Sequence, residues 1–181
     1  MKRALPLTVL AALVLALVPD SSVAQEAELR PMYELPTITV LAPVEGDPLY
    51  DQAMALYEQA RWEDAAKLHR GAAESMPAND ANAYVQYDRA ARLYFYAGDY
   101  SEAREMMEHA ASVAEATGDM ESAAYRHIDA AFIAVWEGYP GKRREHVEIA
   151  ERYANEYDFG KEDASHVYAL TRGIGTLPMD E

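Results

Sequence analysis

The chain has 181 residues, with 31 acidic against 16 basic side chains, no cysteine and a formal net charge of −15. That balance repels phosphate backbones and anionic headgroups, so nucleic acid and a membrane surface are poor partners. Without cysteine there are no disulfides, no thiolate metal sites and no cysteine-linked lipid anchor, so packing alone must hold the fold.

Residues 1–24 read as a secretory signal peptide. Lys2 and Arg3 supply the positive start, Ala4 to Val18 is apolar but for Thr8 and Pro6, and Pro19 breaks any helix. Ser22-Val23-Ala24 then gives a peptidase its small residues, so cleavage after Ala24 is expected. The apolar run, about 15 residues, is short of the ~20 that span a bilayer. Export to the periplasm or outside the cell follows, with no integral membrane segment left in the mature chain. Residues 25–46, punctuated by Pro31, Pro36, Pro43 and Gly46, read as an extended lead-in. Within it Pro36 to Leu41 is the one clear β-type run. Leu35 to Ala42 is similar to the short extended box at the start of outer-membrane receptors that couple to an energising periplasmic partner, although a plain linker is the simpler expectation.

The rest is helical in pattern. Asp47-Pro48 opens a helix that reaches about Gln59, with Asp as cap and Pro in the first turn. A second runs from Trp62 to Ser75 and ends at Met76-Pro77. A third, capped by Asn79 or Asp80, continues through Ala97 to Gly98, which favours positive φ. The fourth covers Ser101 to Ala116, and Asp119 caps a fifth that reaches Glu137. After Gly138, Pro140 and Gly141 come a sixth helix over Lys142 to Tyr157 and a seventh over Glu162 to Arg172. The expectation is an all-α domain over residues 47–173 with about seven antiparallel helices and a tail at 174–181.

Two stretches repeat. Ala53, Leu56, Ala60, Trp62, Ala65, His69 and Ala72 recur 38 residues later as Ala91, Tyr94, Gly98, Tyr100, Ala103, Met107 and Ala110. Pro77, which closes the first stretch, has Glu115 at its matching place. Ala131, Gly138 and Ala150 keep the phase once more, now 40 residues on. Small residues are needed wherever helices approach to about 8 Å, and a repeat of this length means stacked helix pairs.

With its small contact residues, its aromatic or Gly turns and its large residue on the second helix, the pattern resembles the tetratricopeptide repeat (TPR) family. The family's period is shorter than the one here. The resemblance implies helix pairs stacked as a short TPR-like α-solenoid with a concave face lined by the first helix of each unit. A partner-binding groove is then expected at Tyr50, Met54 and Tyr57 in the first unit. In the second unit it is expected at Arg92, Phe95 and Tyr96, beside Val85 and Asp88. Arg92 is expected to meet a carboxylate of the ligand. In the third unit Tyr125, Ile128, Phe132, Val135 and Trp136 occupy these places and are expected to be largely core. Tyr50, Met54, Asp88 and Arg92 stand where related proteins carry the Lys and Asn of a carboxylate clamp, so capture of a peptide's C-terminal carboxylate is not expected.

The functional expectation is an exported, soluble adaptor that binds a protein or peptide. The alternative is a structural module that self-assembles within a cell-envelope complex. No Gly-x-Ser-x-Gly, phosphate-cradling loop or dinucleotide fingerprint is present, so no enzyme activity and no cofactor are expected. The histidines, His69, His109, His127, His146 and His166, do not stand in pairs one helical turn apart. They are expected to be scattered structural or solvated residues, with no metal bound.

Overall fold

The computed structural model describes residues 48–177. They form seven helices: α1 (Pro48–Glu58), α2 (Trp62–Glu74), α3 (Ala81–Ala97), α4 (Tyr100–Thr117), α5 (Met120–Trp136), α6 (Pro140–Glu156) and α7 (Gly160–Gly175). There is no strand among the described residues. The expected signal peptide, the lead-in with its β-type run, the Asp47 cap and the last four residues lie outside the described residues.

Consecutive helices pack together throughout, and α7 also lies on α5. Short connections make each neighbouring pair antiparallel. The alanines of the repeat are the contact points: Ala53, Ala65, Ala91, Ala103, Ala110, Ala131 and Ala150 are all 0% exposed. Around them pack Leu93, Met106, Met107, Ile128 and Ile133, also fully buried. Ala72 is only half-buried, and its neighbour Ala73 makes the close contact instead.

Four of the six connections share one backbone device. At Gly98 the amide donates to Phe95 O and the Asp99 amide to Tyr94 O, both at 3.0 Å, which closes the helix in a Schellman motif. The same pair of bonds recurs at Ala60, Gly118 and Gly138. The three glycines stand 20 residues apart, with φ of 82°, 78° and 71°. Two such 20-residue modules, each a helix with its turn, make the 40-residue step of the later repeat. The first step is 38 because α2 is shorter, which the longer α2–α3 connection only partly offsets. Asp99 and Asp119 follow two of these turns as caps, accepting from the Glu102 and Ser122 amides, while Asp80 caps α3 by accepting from the Asn82 amide.

Ala60 takes φ of 54°, a left-handed conformation that a Cβ disfavours by roughly 1–2 kcal/mol. Ala60→Gly is therefore expected to stabilise the fold by about 1 kcal/mol, and Gly98→Ala to destabilise it by at least as much. Urea titrations of both variants check this; equal midpoints would show that neither turn is strained by a side chain.

Two helices differ from the expectation by two residues or more. α6 starts at Pro140, which occupies its first turn, two residues before Lys142. α7 begins at Gly160 and continues past Arg172 to Gly175. Ile174 is buried, and its burial outweighs the poor helix propensity of the glycines on either side.

Side chains also link each helix to the next but one. Phe95 on α3 meets Phe132 on α5, with ring centroids 6.1 Å apart, and Asp88 pairs with Arg126. Arg70 on α2 donates to Glu102 on α4 at 2.6 Å. Glu108 on α4 meets His146 on α6 at 2.9 Å. The helices thus form two layers, with α3 and α5 in one and α2, α4 and α6 in the other.

Candidate functional site

The expected groove residues divide by burial. Tyr50, Met54 and Tyr57 are half-buried on α1, and Tyr57 rests on the core with Leu56. Phe95 and Tyr96 are half-buried at the end of α3. Arg92 is a correction. It is 5% exposed, and its Nε and Nη2 donate to both carboxylate oxygens of Asp88 at 2.9 and 3.0 Å. Its place on the helix face directed it toward a ligand, but an acid one turn earlier and the layer behind have closed it into the fold. Arg126 bridges Asp88 and, at 3.1 Å, Asp129, and its guanidinium lies 5.8 Å from the Tyr84 ring. Burial alone would raise the Asp88 carboxyl, but Arg126 and Arg92 outweigh it and hold it below the usual range.

The aromatic residues assemble into a ladder across the turn ends of the helix pairs. Trp62, the first residue of α2, stands edge-on to Tyr96 at 5.7 Å. Tyr96 meets Phe95 at 6.3 Å. Phe95 then contacts Tyr100 at 5.3 Å and Trp136 at 6.0 Å, and Tyr100 lies 6.0 Å from Trp136. These five rings are half-buried, whereas Phe132 beneath them is buried. The rings sit together because the C-terminal end of each odd helix and the start of the next even helix share one side of the stack. Trp62 and Tyr100 were legible as turn aromatics one repeat apart. Their joining to Trp136 needed the packing of α3 on α4 and α5. In the third unit Ile128 and Phe132 are core as expected, and Val135 and Trp136 are half-buried.

The histidines are not all scattered. His127 on α5 and His146 on α6 are buried, with Nδ1 atoms 3.1 Å apart and rings stacked at 5.3 Å. His127 Nε2 lies 3.1 Å from Glu115 Oε1, which also accepts from the Tyr153 hydroxyl at 2.8 Å. His146 Nε2 lies 2.9 Å from Glu108 Oε1, to which Arg104 Nη1 donates at 2.7 Å. Burial alone would raise the Glu108 carboxyl, but hydrogen bonds from His146 and Arg104 overcome it and hold it at about 2. Burial pushes the His127 imidazole below its ordinary range. No local motif marked this chain, because His127 and His146 lie on different helices. One signal existed: Glu108/His146, Glu115/Tyr153 and Asp88/Arg126 are each 38 residues apart, two short of the 40-residue step between their helices, so complementary side chains on helices one repeat apart meet. His69 is also buried, with Nδ1 2.6 Å from Gln86 Oε1.

An open cleft of about 320 Å³ lies beside α2 and α4. Its charges pair among themselves, Lys67 with Glu63 and Arg70 with Glu74 and Glu102. Among the described residues no three His, Asp or Glu side chains are arranged to hold a metal ion. No described helix is long and apolar enough to cross a membrane. The chain matches no protein-family model, no curated protein and no solved structure.

Proposed function

We propose that the chain is an exported, TPR-like adaptor that binds a protein or peptide segment through aromatic side chains. The observation that carries this reading is the ladder of half-buried rings from Trp62 through Tyr96, Phe95 and Tyr100 to Trp136. Rings held on one edge by their neighbours present rigid apolar surface, which loses little entropy when a partner docks. Tyr50, Met54 and Tyr57 extend the apolar surface on α1. The repeated buried alanines and the two-layer packing support a stack of helix pairs, which typically serves as a binding platform. Support for export comes from the N-terminal sequence pattern alone. The pairing of Arg92 with Asp88 takes away the expected contact with a ligand carboxylate and leaves apolar contacts to an apolar segment.

Capture of partners from an envelope extract tests the reading, with wild type compared to the Tyr57→Ala/Tyr96→Ala variant. Loss of binding by about 30-fold or more is expected, as for two central aromatic anchors. A full set of partners retained by a variant with wild-type circular dichroism would overturn the assignment. The second reading, self-assembly, draws on Tyr139 and Tyr157, which flank α6 and are 48% and 43% exposed. It requires a dimer or larger species in light scattering, and a monomer at high concentration would remove it.

A further inference from the structure

Beyond partner binding, the buried chain Glu108–His146–His127–Glu115 has the chemistry of a pH-sensitive latch. Glu108 Oε1 and Glu115 Oε1 are acceptors, each already receiving another donor, Arg104 for the first and Tyr153 for the second. Each faces an imidazole Nε2, so each Nε2 carries a hydrogen. The two Nδ1 atoms are then left facing one another at 3.1 Å. With no hydrogen between them, two lone pairs are opposed at hydrogen-bond distance. With two hydrogens, N–H meets N–H and two imidazolium charges stack. Only one hydrogen satisfies the contact.

We propose that the His127–His146 pair holds a single shared proton that fastens α5 to α6, and that a second proton, taken up in mild acid, unfastens them. His127 accepts at Nδ1, and the hydrogen between the rings is carried by His146 Nδ1. The groups that face the pair fit one positive charge. From α4 come Arg104, Glu108 and Glu115, with Arg104 also tied to Glu137 at 2.6 Å. From α6 come Tyr153, with Arg152 over its ring, and Lys142, 3.8 Å from Glu108. α7 sets His166 on Tyr125 and Thr171 on Glu151, not on the pair.

The direction of the pH effect follows from His127. Its affinity for a proton is lower folded than unfolded. The unfolded chain therefore binds more protons once pH falls below the ordinary imidazole value of about 6.5, and stability is lost from there downward. Glu108 acts in a lower window. Its depressed carboxyl contributes stability above the ordinary carboxylate value of about 4.3 that is lost only as pH falls toward 2. Measurements between pH 6.5 and 5.5 thus lie above the Glu108 window, and a His127 variant separates the pair from His69, His109 and His166.

Two experiments decide the matter. Imidazole nitrogen spectra of the uniformly ¹⁵N-labelled chain at pH 7.5 are expected to show one imidazolium and one neutral Nε2–H ring for the buried pair. Two neutral or two cationic rings would overturn the proposal, and this reading needs no variant. In hydrogen exchange, normalised for intrinsic rates, protection across α5 and α6 is expected to fall up to about threefold from pH 6.5 to 5.5, where two unfolded imidazoles bind more protons than the one the folded pair holds. His127→Asn keeps an acceptor near Nδ1 but takes no proton, so its protection should not fall over that range. An unchanged wild type, or an equal fall in the variant, would refute the latch.

Discussion

Asp88→Ala is expected to lower the unfolding free energy by roughly 3–5 kcal/mol, the cost of leaving buried charge without its partner. Asp88 is the acid shared by Arg92 and Arg126, and it joins α3 to α5 as well as one turn of α3 to the next. Once it is removed, two guanidinium groups remain in a region where Arg92 is buried and Arg126 is largely so, with Asp129 left as the nearby carboxylate. Arg70→Ala is the contrast. Its pairs with Glu74 and Glu102 are a third exposed or more, and loss of such pairs costs under about 1 kcal/mol. Urea titrations of the two variants at pH 7 separate these outcomes, and an Asp88→Ala variant as stable as Arg70→Ala would show that the buried network adds little. The Asp88 carboxyl is held below its ordinary range, so its contribution is present above about pH 4 and lost as pH falls further.

Ala91→Leu and Ala103→Leu are each expected to destabilise by about 3 kcal/mol, at the upper end of overpacking costs. Both alanines are fully buried at helix contacts. A leucine there forces the axes apart, and the neighbouring contacts of α3 and α4 move with them. Ala116→Leu, on the exposed side of α4, is the control and is expected to change stability by less than about 0.5 kcal/mol. Thermal or urea unfolding reads the difference. Comparable midpoints for Ala91→Leu and Ala116→Leu would mean that the repeated alanines are not close-contact positions.

The helices were legible because their signals are local. Gly98 and Gly118 at the ends of α3 and α4, the Asp119 cap and Pro77 after α2 each act within a few residues, where backbone sterics and unsatisfied amides decide the outcome. The buried alanines were legible for a related reason, since only repetition makes so common a residue informative. The end of α7 was not legible. Gly173 and Gly175 argue for a tail, and only the burial of Ile174 holds that turn in the helix.

The groove was legible in part. Phe95 and Tyr96 belong to a larger aromatic ladder, whose members Trp62, Tyr100 and Trp136 come from three different helices. Arg92 stood on the expected face, yet its environment is set by Asp88 and by α5, so its placement on the helix did not reveal its role.

By itself, then, the sequence determined where the first five helices begin and end to within a residue, which small residues repeat, and that no disulfide assists the core. Those properties depend on neighbours in the chain and on composition. Tertiary structure alone decided which polar groups are sequestered. The Arg92–Asp88–Arg126 network and the Glu108–His146–His127–Glu115 chain form because helices a full repeat apart lie side by side. Burial strength depends on that lateral packing, which brings together residues that share no local pattern.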